Sequence, residues 1–211
     1  MNDQAYLKSD LISLDAKAFY FKYIVKSRNW YFSEYLKIPS NELIDTMDFF
    51  KEIVSTGFNI SFHCPLIVGS AKTGFSLSPK KLLNPFHGEE EGRNSSDIDV
   101  AIVSDYLFSK FWSKIRCNGK ANCSVYNQAP YRKIAQSVFK GFINDHDLCN
   151  ISTLREEWGT IVDPINIQLQ DKLRFEHPIT YRIYRNWEDL EEYQLDGITK
   201  AKQNLEVHQN V

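Results

Sequence analysis

The spacing of apolar residues changes several times along this chain, and the changes divide it into elements. From Leu11 the residues Leu14, Ala18, Phe21 and Val25 recur at steps of three and four, which predicts one face of a single helix. Pro39-Ser40 closes that region, and Ser40 is the predicted N-cap of a helix carrying Leu43, Ile44, Met47, Phe50 and Val54 as far as Gly57. Residues 64–68, Cys-Pro-Leu-Ile-Val, then form a short apolar run ended by Gly69-Ser70, the pattern of a buried strand that delivers a turn. A second strand is predicted over residues 98–103, with Asp97 and Asp99 bracketing its first residue.

Helical spacing returns over residues 106–116 and 131–142, and again over 163–173 with Pro164 placed in the first turn. Residues 179–184 alternate, setting Ile179, Tyr181 and Ile183 on one side and Thr180, Arg182 and Tyr184 on the other, as a half-buried strand requires. Asn186 is the predicted cap of a last helix that has Asp189 in its first turn and carries Leu190, Tyr193, Ile198, Ala201 and Leu205. No repeat, low-complexity tract or Pro/Gly-rich linker interrupts this order. The expectation is one α/β (α+β) domain over 1–211: a helical part at 1–57, a mixed central sheet with helices behind it at 58–184, and a C-terminal helix at 185–211.

Composition narrows the classes of function. With 211 residues, 43% hydrophobic and 14% aromatic, the chain can bury a sizeable core, which excludes a disordered or disulfide-stapled miniature fold. Lys plus Arg is 25 against 27 for Asp plus Glu, so bulk charge supplies no general attraction to nucleic acid or anionic lipid, and any polyanion contact is local. Cys64, Cys117, Cys123 and Cys149 lack paired CxxC spacing and read as reduced thiols, and His63-Cys64 and His146-Asp147-Cys149 match no zinc pattern. There is no basic stretch leading into an apolar run at the start, and no segment approaches the roughly 18 apolar residues of a membrane span, so a cytoplasmic protein without a membrane partner is expected.

Chemistry concentrates between Leu66 and Ser104. Gly69-Ser70, with Gly74 shortly after, makes a turn whose backbone amides can approach a phosphate without an intervening side chain, and Lys72 lies within it. Asp97 and Asp99 are two apart on a strand and therefore project together, while Ile98 turns into the core. Two carboxylates side by side repel unless a cation lies between them, and hard oxygen ligands of this kind suit Mg²⁺ carrying a nucleotide's phosphates.

The pairing of Gly69-Ser70 at the end of an apolar strand with Asp97-Ile98-Asp99-Val100 on the next resembles the nucleotidyltransferases of the DNA polymerase beta type, and the run from Ser96 to Val103 is especially similar to small single-domain members. The resemblance implies a mixed sheet with helices behind it, Gly69 and Ser70 toward the triphosphate, and Asp97 and Asp99 as catalytic ligands of two Mg²⁺ ions; Lys72, Lys80 or Arg93 could also reach a phosphate. It implies transfer of a nucleoside monophosphate from a nucleoside triphosphate to a hydroxyl on protein, RNA or a small molecule. Antitoxin and phage-defence settings, a partner protein or a homo-oligomer are also compatible with it.

Two departures accompany the match. Residues 75–95 lengthen the gap between turn and aspartates and carry Lys80, Lys81, His87, Glu89 and Arg93, as either a lid or a surface insertion. The strand expected to contribute a third carboxylate offers Thr180 and Arg182 instead, with Glu176 and Asp163 as substitutes. A degenerate nucleotide-binding or protein-interaction module is therefore the alternative reading. A further one is RNA binding through Phe19, Tyr20, Tyr23, Trp30, Tyr31, Phe32 and Tyr35, which interleave with Lys17, Lys22, Lys26, Arg28 and Lys37. A helix packed on two sides would carry the same aromatic residues.

Overall fold

The computed structural model describes residues 4–87, 95–121 and 129–209; Glu89, Arg93 and Cys123 lie outside them. Helices α1 (Gln4–Ser13), α2 (Ala16–Tyr20) and α3 (Leu43–Phe58) precede β1 (Pro65–Val68), α4 (Gly69–Thr73) and β2 (Ile98–Val103). Then come α5 (Asp105–Ala121), α6 (Ala129–Phe139), β3 (Phe142–Asn144), α7 (Asp145–Cys149), α8 (Ser152–Leu173), β4 (Ile179–Tyr184) and α9 (Trp187–Gln209). The class is mixed α/β, with four strands ordered β1-β2-β4-β3 in a mixed sheet. Contacts gather into two units, one of Met1–Met47, Ile67–Asp99 and Glu191–Val211, the other of Asp48–Leu66 and Val100–Leu190. The divisions fall inside α3, β1, β2 and α9, so no linker composition marks them.

In the first unit, Leu7 and Leu11 lie one turn apart on α1 and join Phe19, Tyr23 and Leu83 with the Ile198, Ala201 and Leu205 stripe of α9 in a buried core. The single helix predicted through Leu14 and Val25 is interrupted. After Ser13, Asp15 takes an extended backbone and its carboxylate accepts the Ala18 N–H at 2.8 Å, restarting the chain as α2. The backbone then widens into π-helical turns at Phe21–Val25 and Tyr31–Tyr35. A wider turn shifts which side chains share a face, so Phe21 and Val25 are exposed while Phe19 and Tyr23 are buried.

The described part of the inserted loop is a hairpin. Ser76 N–H donates to Asn84 O at 2.9 Å, Leu83 N–H to Ser76 O at 2.7 Å, and Phe75 bridges Pro85. Phe75, Leu77 and Leu82 pack on the α1–α9 core, and the Gln4 side-chain amide donates to Leu83 O at 2.9 Å. Apolar side chains thus tether this part of the insertion, whereas Lys80 and Lys81 stay exposed at its tip.

In the second unit, β2 continues as the buried run Val100-Ala101-Ile102-Val103. Rings of α3, α5, α8 and β4 interlock: Phe58 and Phe111 lie 5.4 and 5.3 Å from Trp158, and Tyr181 lies 5.5 Å from Phe58. Helix α8 begins at Ser152, well before the predicted start, which puts Pro164 in its interior; Pro164 and Thr160, whose carbonyl the proline leaves without a donor, are both exposed residues, where such a break is tolerated. The helix predicted to reach residue 142 ends at Phe139, since Gly141 turns left-handed (φ +78°) and Phe142 opens β3, which pairs antiparallel with β4 as Phe142 opposite Tyr184.

Gly141→Ala is expected to lower unfolding free energy by about 1–3 kcal/mol, through backbone strain and through a new Cβ pressing on the Asp189 carboxylate that binds Arg185. Urea denaturation checks it; unchanged stability would contradict the strain.

Candidate active site

Strand β1 carries the buried pair Ile67 and Val68 and leads directly into the bend. Val68 is extended, Gly69 turns to φ +66°, and α4 runs one short stretch before Gly74, at φ +85°, ends it with its N–H on Ser70 O at 2.8 Å. The bend is fixed from several sides within the first unit. Thr73 Oγ1 donates to Phe75 O at 2.7 Å, Phe86 N–H donates to Gly74 O at 2.8 Å, and the Trp30 indole lies against Gly74.

The second half of the motif meets the first through one side chain. A Cβ built on Gly69 would collide with Asp99 Oδ2 and stand 3.2 Å from Asp99 Cγ and 3.4 Å from its Cβ. The half-buried Asp99 carboxylate therefore lies over the bend's backbone, in space that only glycine leaves open. Ile98 is fully buried between the two acids, and Asp97, one residue ahead of β2, is exposed. Ser70 is half-buried beside Gly69.

Lys72 is placed differently from a phosphate-contacting lysine. It is 8% exposed, and its amine donates to Ser27 O at 2.6 Å. Burial pushes its pKa down to about 8. Ser27 Oγ in turn donates to Tyr23 O, and the Tyr23 hydroxyl donates to Asp10 at 2.6 Å. Hydrogen bonds from Lys22 and Tyr23 hold the Asp10 carboxyl below its usual value. A relay of polar contacts thus runs from the bend into the N-terminal segment. Lone apolar spacing gave no signal for Ser27 as the acceptor, because the partner is a backbone carbonyl.

In the second unit, β4 presents Thr180 and Arg182 where a third acid was sought. Arg182 Nε donates to Asn144 Oδ1 at 2.6 Å, and its guanidinium stands 5.2 Å from the Phe142 ring centroid. Asp163 and Glu176 are exposed. Asp145, at the start of α7, is half-buried: its carboxylate accepts the Tyr181 N–H at 2.7 Å, and burial raises its pKa. Among the described residues, no group of three His, Cys, Asp or Glu is arranged to hold a metal ion. Also among them, no helix is long and apolar enough to cross a membrane.

The aromatic segment is largely committed to the interior. Phe19, Tyr23, Tyr31 and Phe32 are buried, and Tyr35 stacks on Tyr31 with centroids 5.0 Å apart. Cys64, Cys117 and Cys149 are free thiols. Comparison with protein-family models, curated proteins and solved structures finds no match for this chain.

The Lys72 amine supplies a pH test. Its folded pKa lies below its unfolded value, so between about pH 8 and 10.5 the unfolded chain binds the extra proton and stability contributed by this group rises with pH. Relative to Lys72→Met, the wild-type protein should gain up to roughly 3 kcal/mol across that interval. A difference between the two that is flat with pH would show the amine to be solvated.

Proposed function

We propose that this protein is an Mg²⁺-dependent nucleotidyltransferase that moves a nucleoside monophosphate from a nucleoside triphosphate to a hydroxyl acceptor on protein, RNA or a small molecule. The observation that carries the reading is the Asp99 carboxylate lying over the left-handed Gly69 bend. A polyphosphate received by the bend's backbone amides would meet a carboxylate at once, and two like charges in that space require a cation. The cradle fits Mg²⁺ by donor chemistry, with Asp99 and Asp97 as its carboxylate ligands. Bound there, the ion would neutralise charge that grows on the transferring phosphoryl group.

The chain's own residues do the positioning. The Gly69 and Ser70 amides, with the Ser70 hydroxyl, orient the triphosphate, and the Lys72–Ser27 contact keeps the bend in place. The acceptor oxygen then bonds to the α-phosphorus as its hydroxyl proton passes to solvent and the bond to pyrophosphate breaks. A second reading, a nucleotide-binding module without turnover, is favoured by β4, whose arginine is held by Asn144 and whose polar face offers no carboxylate. Calorimetry separates the two readings: triphosphate binding without pyrophosphate release, across protein, RNA and small-molecule acceptors, supports the module.

Replacing Asp97 and Asp99 together by Ala should lower Mg²⁺-dependent transfer of an α-phosphate label by more than about a hundredfold. Equal labelling by the double variant and the wild-type protein would remove the transferase reading.

A further inference from the structure

We infer that Trp30 receives the nucleoside end of the bound triphosphate, a role that rests on the triphosphate site proposed above. The indole borders the same turn as Asp99. A Cβ on Gly74 would stand 2.8 Å from Trp30 Cδ1 and Nε1 and 3.0 Å from Cε2, so the pyrrole edge lies on the residue that closes the turn opened by Gly69. The intervening helix α4 has five residues and is about 7.5 Å long. A triphosphate tail held at Gly69 and Ser70 leaves its sugar and base to be accommodated within that kind of distance.

Trp30 differs from the other rings around this turn. Tyr31 and Phe86 are buried, and Tyr35 already lies parallel to Tyr31, at an interplanar angle of 10°. Trp30 is partly exposed, and its ring neighbours Tyr35 and Phe86 are inclined to it by 43° and 52°, so neither covers it in a parallel stack. A flat, partly exposed apolar face held by its edge on the turn suits the π-face of a nucleobase. The residue follows directly on the Lys26–Asn29 link between two π-helical turns, a backbone irregularity that recurs at binding sites.

The test compares binding of a non-hydrolysable Mg²⁺-nucleoside triphosphate with that of inorganic tripolyphosphate plus Mg²⁺, in wild-type protein, Trp30→Ala and Trp30→Phe. Trp30→Ala should weaken nucleotide binding about five- to a hundredfold more than it weakens tripolyphosphate binding, since loss of the ring from Gly74 acts on both ligands and loss of stacking on the nucleotide alone, while Trp30→Phe retains part of the difference. In wild-type protein, nucleotide should quench indole fluorescence, and that quenching should be lost in Trp30→Phe, which keeps the test decisive should Trp30→Ala not fold. Equal effects on both ligands, or none on either, would overturn the role of Trp30 and leave the transferase reading standing. Absence of tripolyphosphate and nucleotide binding in wild-type protein would overturn both.

Discussion

A carboxylate laid on a glycine is the constraint from which the rest of the site follows. Gly69 can adopt its left-handed conformation because it has no Cβ, and that same missing atom leaves room for Asp99. One backbone position thereby joins the end of β1 to the beginning of β2. The surrounding contacts serve that junction: Lys72 fastens the bend to Ser27, and Trp30 and Phe86 fasten its far end at Gly74. A buried amine that gives up part of its basicity is tolerated where a carbonyl accepts its hydrogen bond.

Fold information was legible where one period persisted. The residues of β2 and β4 follow from a continuous apolar run and a clean alternation, and the observed strands occupy the expected residues. Legibility failed where a local hydrogen bond or a wider helical turn changed the period. Asp15 caps a new helix inside a helical pattern, and the π-helical turns rotate Phe21 and Val25 to the surface. Strand β3 is only three residues long and follows a left-handed glycine, too short for alternation to register.

The candidate site divides in the same way. Gly69 and Asp99 could be read as neighbours because strand ends have predictable geometry. The engagement of Lys72 with Ser27 could not, since a lysine near a glycine turn suits a phosphate equally well in sequence and only burial directs it elsewhere. Arg182 likewise stood where an acid was expected; its partners Asn144 and Phe142 come from β3, the strand that periodicity did not reveal. Trp30 was one of eight aromatic residues between Phe19 and Tyr35 until the fold buried Tyr31 and Phe32 and left it beside Gly74.

The most direct measurement is a calorimetric titration of a non-hydrolysable nucleoside triphosphate, with and without Mg²⁺, into wild-type protein and Gly69→Ala, each first shown to unfold cooperatively. The account predicts Mg²⁺-dependent binding to the wild-type protein that Gly69→Ala loses, because a methyl group at this position occupies the space of the Asp99 carboxylate. Indistinguishable binding by the two proteins would contradict it.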